Sequence, residues 1–507
     1  MKFKEMFYES TKADVLLIQP PILKHVKKRD IDPVQTNYWD KSDKVGSLIG
    51  DLPIEPNWGL LYLASSLRLN NITVNLVDFH LYDYVKYKKT DEFVNLAEIE
   101  RTLKLKKFKM VGISALTRSA DRALVIAELC KKINPDCKVI LGGIHFSFVV
   151  NEVLEKCKAV DAIIKGEGEK AIVSLMNNID NIAHWHEIEG IAFRDQKGCI
   201  HNDNKTNFIE NINEIAWPDY SLWPSDVPLI PRVYLSRGCI GDCDYCVVNQ
   251  LFLCKYRKRD INDVIDEIKM LKEKYSVSEL LVGDLCFPAD KQGTIEFCKL
   301  LIESNMGIKW WCQTKPELLD REILEYMKKA GCVQVAIGIE CMDEKVLSLS
   351  NSHKYDAGNK ESIYDLCKLI NDYDIKVQGY FIFGLPGDTI DTSISTIKML
   401  DRLTANGLVN VTHISVMVPY PGTSTMNNHE KYGMEIVNDD YSDFLMNCDL
   451  MNAGIPIYKT DTLDNYQIYS LWQLALSTVA KNYEKKSLQG TFMFKELDYF
   501  VDSLIVT

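Results

Sequence analysis

The stretch "YLSRGCIGDCDYCVVNQ" (residues 234–250) decides how the rest of the chain is read. It places Cys239, Cys243 and Cys246 in one loop, with three and then two residues between successive cysteines. Gly238, Gly241, Asp242 and Asp244 make the loop polar and turn-forming, which argues against thiols that merely fill a core. A structural zinc site closes on four ligands at paired spacings. No histidine stands nearby, and the next cysteine, Cys254, comes eight residues after Cys246. A 4Fe–4S cluster is ordinarily held by four thiolates. A loop that supplies three leaves one iron open to a ligand from outside the chain.

The flanks of the loop set its context. "RVYLS" (232–236) reads as a strand leading straight into the cysteines, and "INDVIDEIKMLKEKY" (261–275) reads as a helix. Further strands are expected at 278–284, 309–314, 333–340, 376–384 and 412–420, with helices between them. About six βα units predict a barrel or partial barrel over 231–430, with the cysteine loop at its carboxyl-terminal end, where barrel active sites lie. Residues 431–507 read as a smaller helical region.

The first 178 residues also alternate. Strands are expected at 13–21, 72–78, 109–117, 138–145 and from 160, with helices at 57–70, 120–134 and within 160–176. Buried strands separated by helices predict an α/β, doubly wound parallel sheet, whose ligands lie beyond the strands' carboxyl ends. Ser114, Thr117, Gly142, Gly143, Gly166 and Gly168 fall there. Residues 179–230 read as a connector, with a hairpin turning at Gln196-Lys197-Gly198 and an irregular Pro- and Trp-rich bridge.

The chain has 507 residues, 46% hydrophobic and 26% charged, with a net charge of −12. That balance argues against a nucleic-acid binder. The basic runs 25–30 and 255–260 read as solvated loops, with Arg257 or Arg259 as candidate partners of an anionic substrate group. Trp311 and Tyr420 are candidates to line the substrate cavity. The polar start and the lack of any apolar run of ~18 residues predict no signal peptide, no membrane span and a cytoplasmic location. Fifteen cysteines there do not make a disulfide scaffold.

The cysteine spacing, with the aromatic Tyr245 just before the last thiol, resembles the radical S-adenosylmethionine (SAM) enzymes. The resemblance implies a partial (β/α)6 TIM-like barrel whose Cys239, Cys243 and Cys246 hold a 4Fe–4S cluster. It implies that the open iron binds the amino and carboxylate groups of SAM. The reduced cluster then cleaves SAM to a 5′-deoxyadenosyl radical, which abstracts hydrogen from a small-molecule substrate. A low-potential donor such as flavodoxin or ferredoxin would supply the electron. "AGCVQVAIGIE" (330–340) is similar to the family's fourth-strand segment, which puts Gly338 and Glu340 near SAM. "GYFIFGLPGDT" (379–389) is similar to its fifth, with Gly384, Pro386 and Gly387 letting backbone approach the adenosine. "VPYPGT" (418–423) is similar to the end of its sixth strand. The chain departs from the family at "LVGDLCF" (281–287), where Gly283 and Asp284 replace a Gly-Gly-Glu-like stretch that meets the SAM ammonium.

The segments "LLIQPP", "PNWGLLYLASSL", "VGISALT", "ILGGIH" and "VDAIIKGEGE" resemble the cobalamin-binding domain of cobalamin-dependent radical SAM enzymes. By that resemblance Ser114, Thr117, Gly142, Gly143, His145, Gly166 and Glu167 would meet cobalamin. "DFHLYD" (78–83) follows the second strand and lacks the glycine of an axial-histidine loop, so His80 reads as a loop histidine. The leading expectation is cobalamin-dependent methylation of an unactivated carbon. Hydrogen abstraction or rearrangement without cobalamin is the alternative, and an iron–sulfur or cobalamin sensor is a third. A methylthiotransferase fits poorly, because Cys130, Cys137 and Cys157 share no loop for a second cluster.

Overall fold

A computed structural model describes residues 1–21, 55–90, 92–352, 361–441 and 456–486. The described residues divide into two compact units, one ending at Leu229 and the other beginning at Ile230.

The first unit is built on a seven-stranded sheet. Its strands are β1 (Val15–Gln19), β2 (Val74–Asp78), β3 (Met110–Ser114), β4 (Lys138–Gly142), β5 (Ala162–Ile164), β6 (Ile191–Arg194) and β7 (Ile200–Asn202), in the order β2-β1-β3-β4-β5-β6-β7. The first five are parallel. β1 is buried along its whole length, as a strand covered on both faces must be. The chain runs outward from β1 to β2 and then back past it to β3. The carboxyl ends of β1 and β3 are therefore the switch point at which such sheets open a ligand crevice.

The segment expected as a connector is instead part of this sheet. β6 and β7 form a hairpin, closed by Asp195 and Cys199, that pairs antiparallel with β5. Without it β5 would expose an unpaired edge. The link after β5 carries the helix Glu169–Asn177 and a 3-10 turn at Ile182–Glu187, and the chain then returns antiparallel beside β5.

The second unit carries a six-stranded parallel sheet: β8 (Arg232–Val233), β11 (Glu279–Val282), β12 (Lys309–Thr314), β13 (Cys332–Glu340), β14 (Lys376–Phe383) and β15 (Val411–Val416). These six lie in sequence order, as in a (β/α) barrel opened between its first and last strands. Two short strands, β9 (Ser236–Arg237) and β10 (Arg257–Lys258), stand apart from it. On β14, Val377, Gly379, Phe381 and Phe383 are buried, while Gln378, Tyr380 and Ile382 are half-exposed. The first set faces the helices and the second the inside of the curl.

The helix at Ile261–Tyr275 shows why these elements form. Asp260 caps it by accepting from Asn262 N–H, and Val264, Ile268 and Leu271 recur on one buried face. It ends at Ser276, which takes a left-handed φ of 56°. Beyond the barrel the chain is not purely helical. A small antiparallel pair, β16 (Met434–Ile436) with β17 (Tyr458–Thr460), precedes a helix at Asn465–Lys486. That helix donates Trp472 Nε1–H to the Ile414 carbonyl at 2.9 Å and so covers the last strand.

Candidate functional site

The cysteine loop spans 238–256 and is closed at its base by the antiparallel β9–β10 pair, Arg237 opposite Arg257. Gly238 has φ 96°, and a Cβ there would collide with the Lys255 carbonyl oxygen. Only glycine lets the two legs of the loop meet this closely. Cys239, Cys243 and Cys246 are all half-buried. Gly241 donates its N–H to Cys239 Sγ at 3.3 Å. A Cβ on Gly241 would sit 3.6 Å from Cys239 Sγ and 3.9 Å from Cys243 Sγ, so the two sulfurs flank it. Cys254, on the far leg, turns its thiol to the Asn249 carbonyl.

A turn that follows β13 grips this loop from the side. Ser350 O accepts from Asp244 N–H at 3.0 Å, and Asn351 Nδ2 donates to Asp242 Oδ2 at 2.9 Å. Ser352 Oγ lies 2.9 Å from Tyr245 Oη and 3.7 Å from Cys243 Sγ. From the other side, Thr425 N–H donates to Asp244 O at 3.2 Å. A further thiol, Cys286, is buried after β11; its hydrogen bond to Cys239, with burial, pushes its pKa up.

Asp284 was expected at the SAM ammonium. It is fully buried, and its two oxygens accept from Leu235 N–H (2.7 Å) and from the Ser236 hydroxyl. Burial pushes its pKa up to about 7, while those hydrogen bonds and Arg259 pull it down. What it holds is the strand that enters the cysteine loop. Gly283 is required because Arg232 and Tyr234 fill the space of its missing side chain. Glu340 is placed differently. It is buried at the end of β13 with φ 64°, where the register to β14 slips between Gly338 and Glu340. A non-glycine residue in the left-handed region at a bulge marks a re-aimed side chain.

The turn Gly384–Gly387 is built from inside the protein. Gly384 and Gly387 have φ 76° and 78°, and a Cβ on either would come within 2.5 Å of Tyr458 Oη or Leu349 Cδ1. Their missing side chains thus make room for protein atoms; the buried Pro386 lies between them. Asp388 locks the turn by accepting from Gly384 N–H (3.1 Å), Thr389 N–H (3.0 Å) and Ser393 Oγ (2.9 Å). Tyr458, fully buried, donates to Gly384 O at 2.7 Å. Asp388, Tyr458 and Ser352 escaped the sequence reading. Asp388 carries a signal, since it precedes the Thr389 cap of a helix; the other two carry none.

Arg259 is not free for a substrate. It pairs with Glu267 (2.7 Å) and Asp263 and donates to Tyr234 O at 3.0 Å. Arg257 lies over the Phe252 ring at 5.5 Å. Trp311 and Tyr420 are half-exposed.

In the first unit the switch point is lined by amides and a hydroxyl. Asn57 caps the helix Trp58–Leu69 through Leu60 N–H and turns its Nδ2 to Gln19 Oε1 and to Ser114 Oγ at 3.5 Å. At Gly142 a Cβ would meet nothing nearer than Ile164 O at 3.9 Å, so backbone there is approachable. Gly143, at φ 92°, packs on Ala115 and Ser114. Thr117 Oγ1 and His145 Nδ1 meet at 3.2 Å, and burial pushes the His145 pKa down to about 4, which leaves a neutral ring.

Gly166 and Glu167 turn elsewhere. Gly166, at φ 76°, is packed on Thr206 and Asn207, and Glu167 accepts from Ile209 N–H at 2.7 Å. Both anchor the segment 206–209. His80 lies in the first turn of the helix Phe79–Thr90, not in a loop. Burial, with the Arg118 and Arg122 charges, pushes its pKa down to about 3.

Among the described residues no three His, Cys, Asp or Glu side chains converge on a point as a single metal ion would require. A cubane asks for something else, since each thiolate takes a different iron. Three half-exposed thiols in one loop, two of them flanking Gly241 and one already met by its backbone N–H, suit it. The fold and site thus define an α/β enzyme with an iron–sulfur loop at the mouth of a parallel barrel and a nucleotide-fold domain ahead of it.

The comparisons agree. Residues 233–400 match the radical SAM superfamily, and residues 52–176 match the B12 binding domain. An uncharacterised methyltransferase of Pyrococcus horikoshii is 28% identical over 376 residues, covering 73% of this chain and 77% of the relative. The anaerobic magnesium-protoporphyrin IX monomethyl ester cyclase of Rubrivivax gelatinosus is 26% identical over 88% of this chain and 76% of its own. In fold, the chain is similar to the radical SAM methyltransferase TsrM of Kitasatospora setae, solved with cobalamin and a 4Fe–4S cluster. The TM-score is 0.65 at 16% identity, over 93% of this chain and 89% of that one.

The chain belongs to the radical SAM enzymes that carry a B12-binding domain. Its cofactors are a 4Fe–4S cluster, SAM and cobalamin, and it acts on a small molecule with electrons from an external reductant. No described helix is long and apolar enough to cross a membrane.

Proposed function

We propose that the protein methylates an unactivated carbon of a small-molecule substrate, using cobalamin together with SAM. The observation that carries the reading is the cysteine loop, half-exposed at the carboxyl end of a parallel barrel, in a chain that also holds a B12-binding domain. Cys239, Cys243 and Cys246 would hold the cluster, with Tyr245 beside it. Gly338, Glu340 and the turn Gly384–Gly387 would border SAM. Asn57, Gln19, Ser114, Gly142 and Gly143 would border cobalamin, with Thr117 and His145 supporting the turn from behind.

When bound, the reduced cluster supplies the electron that cleaves one SAM to a hydrogen-abstracting radical, and cobalamin carries the methyl group of another. The chain's own part is to position and to exclude. The β9–β10 pair and the turn 350–352 fix the loop. Asp388 and Tyr458 fix the backbone of the SAM-side turn. The inside of the curl, with Trp311, Gln378 and Tyr380 half-exposed, is where a substrate meets the protein. Flavodoxin or ferredoxin suits the need for a low-potential donor, and the reducing cytoplasm suits both cluster and free thiols.

The cyclase relatives favour a second reading, hydrogen abstraction with rearrangement or ring formation and no methyl transfer. Product analysis separates the two. The reconstituted enzyme is reduced with titanium(III) citrate in the presence of SAM and a small-molecule extract of the source cells. Methylation yields both 5′-deoxyadenosine and S-adenosylhomocysteine. The second reading yields 5′-deoxyadenosine alone, and neither product would contradict both.

A further inference from the structure

The grip of the turn 350–352 on the cysteine loop does more than hold it. Ser352 is fully buried, and its oxygen lies within reach of two groups in the loop: Tyr245 Oη at 2.9 Å and Cys243 Sγ at 3.7 Å. The donors can be counted. In the metal-free protein the Cys243 Sγ lies where it can donate to Ser352 Oγ. Once Cys243 binds iron it is a thiolate and can only accept. Ser352 has a single hydroxyl proton. Tyr245 can give its own proton to Ser352 Oγ, which leaves the serine proton free to turn to the sulfur. The chain Tyr245 O–H to Ser352 O–H to Cys243 S⁻ then satisfies every member.

We propose that the Ser352 hydroxyl, backed by that of Tyr245, donates to the Cys243 thiolate of the assembled site and raises the reduction potential of the cluster. Reduction adds negative charge to the cluster and its sulfurs. A donor fixed on one of those sulfurs therefore favours the reduced state, and removing it makes reduction harder. The hydroxyl of Tyr245 has a task that a phenylalanine ring at the same place lacks. Ser350 holds the backbone N–H of Asp244, and Asn351 donates to both the carbonyl and the carboxylate of Asp242, so the donor is aimed by contacts other than its own. Ser352 is a positioning residue here, and the inference rests on the assignment of Cys243 as a cluster ligand.

The test is an anaerobic redox titration of the reconstituted full-length protein, followed by electron paramagnetic resonance, with iron counted in each sample. Ser352→Ala is expected to hold a full complement of iron with a potential more negative than the wild type. Tyr245→Phe should move the same way by less, and Ser352→Thr, which keeps the hydroxyl, should stay near the wild type. A Ser352→Ala protein with full iron and an unchanged potential overturns the inference while leaving the ligand assignment intact. If Ser352→Ala fails to hold iron, recovery in Ser352→Thr supports the hydroxyl's role, and failure of both overturns it. A wild-type protein that takes up no iron overturns the ligand assignment and this inference together.

Discussion

The cysteine loop of the second unit and the strand-end turns of the first carry the same kinds of residue, glycine beside polar side chains, to different ends. In the loop the glycines serve geometry at the base, while the three thiols stay half-exposed. In the first unit most of the polar side chains are already occupied. Thr117 meets His145, and Glu167 holds Ile209. Within the barrel, Asp284 likewise holds the backbone at Leu235 and the Ser236 hydroxyl. The lesson is that a glycine or an acid at a strand's carboxyl end marks close approach, but what approaches is as often another part of the chain as a ligand.

Replacing a thiol should break the comparison outright. Cys243→Ala is expected to lower 5′-deoxyadenosine formation more than about 100-fold, since on the proposed assignment it removes an iron ligand, where loss of a group that merely orients a ligand already costs about 10–100-fold. Iron content and product chromatography check it, and the stability of the first unit should not change. A smaller effect comes from the base of the loop. Gly238→Ala, strained in φ and clashing with Lys255, should cost about 1–3 kcal/mol and reduce iron uptake. Gly241→Ala makes only ordinary contacts and should leave the fold intact. Urea unfolding with iron counts separates them.

How much of this was legible in the sequence depends on how far apart the partners lie. The three cysteines fall within eight residues, 239–246, so their spacing could be read directly. The barrel strands could be read because buried runs such as "VQVAIGIE" alternate with amphipathic helices. Cys243 and Ser352 are 109 positions apart, and Gly384 and Tyr458 are 74 apart, so no local pattern links them. The hairpin β6–β7 was visible as a hairpin, but its place in the sheet depends on which edge β5 leaves open. The glycines at 166, 384 and 387 are read from the sequence as cofactor contacts; each takes a positive φ, but the space beside them is filled by protein atoms that no local pattern announces.

A pH series sharpens the comparison from the side of the first unit. Burial disfavours the charged form of His145 and pushes its pKa in the folded protein down to about 4, below the ordinary histidine value of about 6.5. The unfolded chain therefore binds the proton first as pH falls. Stability is complete above about pH 6.5 and is lost progressively down to about pH 4, by up to about 3 kcal/mol. His145→Gln should flatten that slope in urea unfolding of the first unit. The smallest expected effect is at the turn Gly384–Gly387, which is proposed to border SAM. Tyr458→Phe removes one hydrogen bond to Gly384, worth about 1 kcal/mol, and should raise the SAM concentration for half-maximal cleavage a few-fold while iron content stays constant.

The central claim is that one chain holds both an iron–sulfur cluster and cobalamin. The measurement that tests it most directly is an iron and cobalt count after anaerobic reconstitution, loading with hydroxocobalamin and desalting. About four irons and about one cobalt per chain are expected, with a cob(II)alamin spectrum on reduction. Iron that stays while cobalt washes away would contradict the account of the first unit and end the methyl-transfer reading.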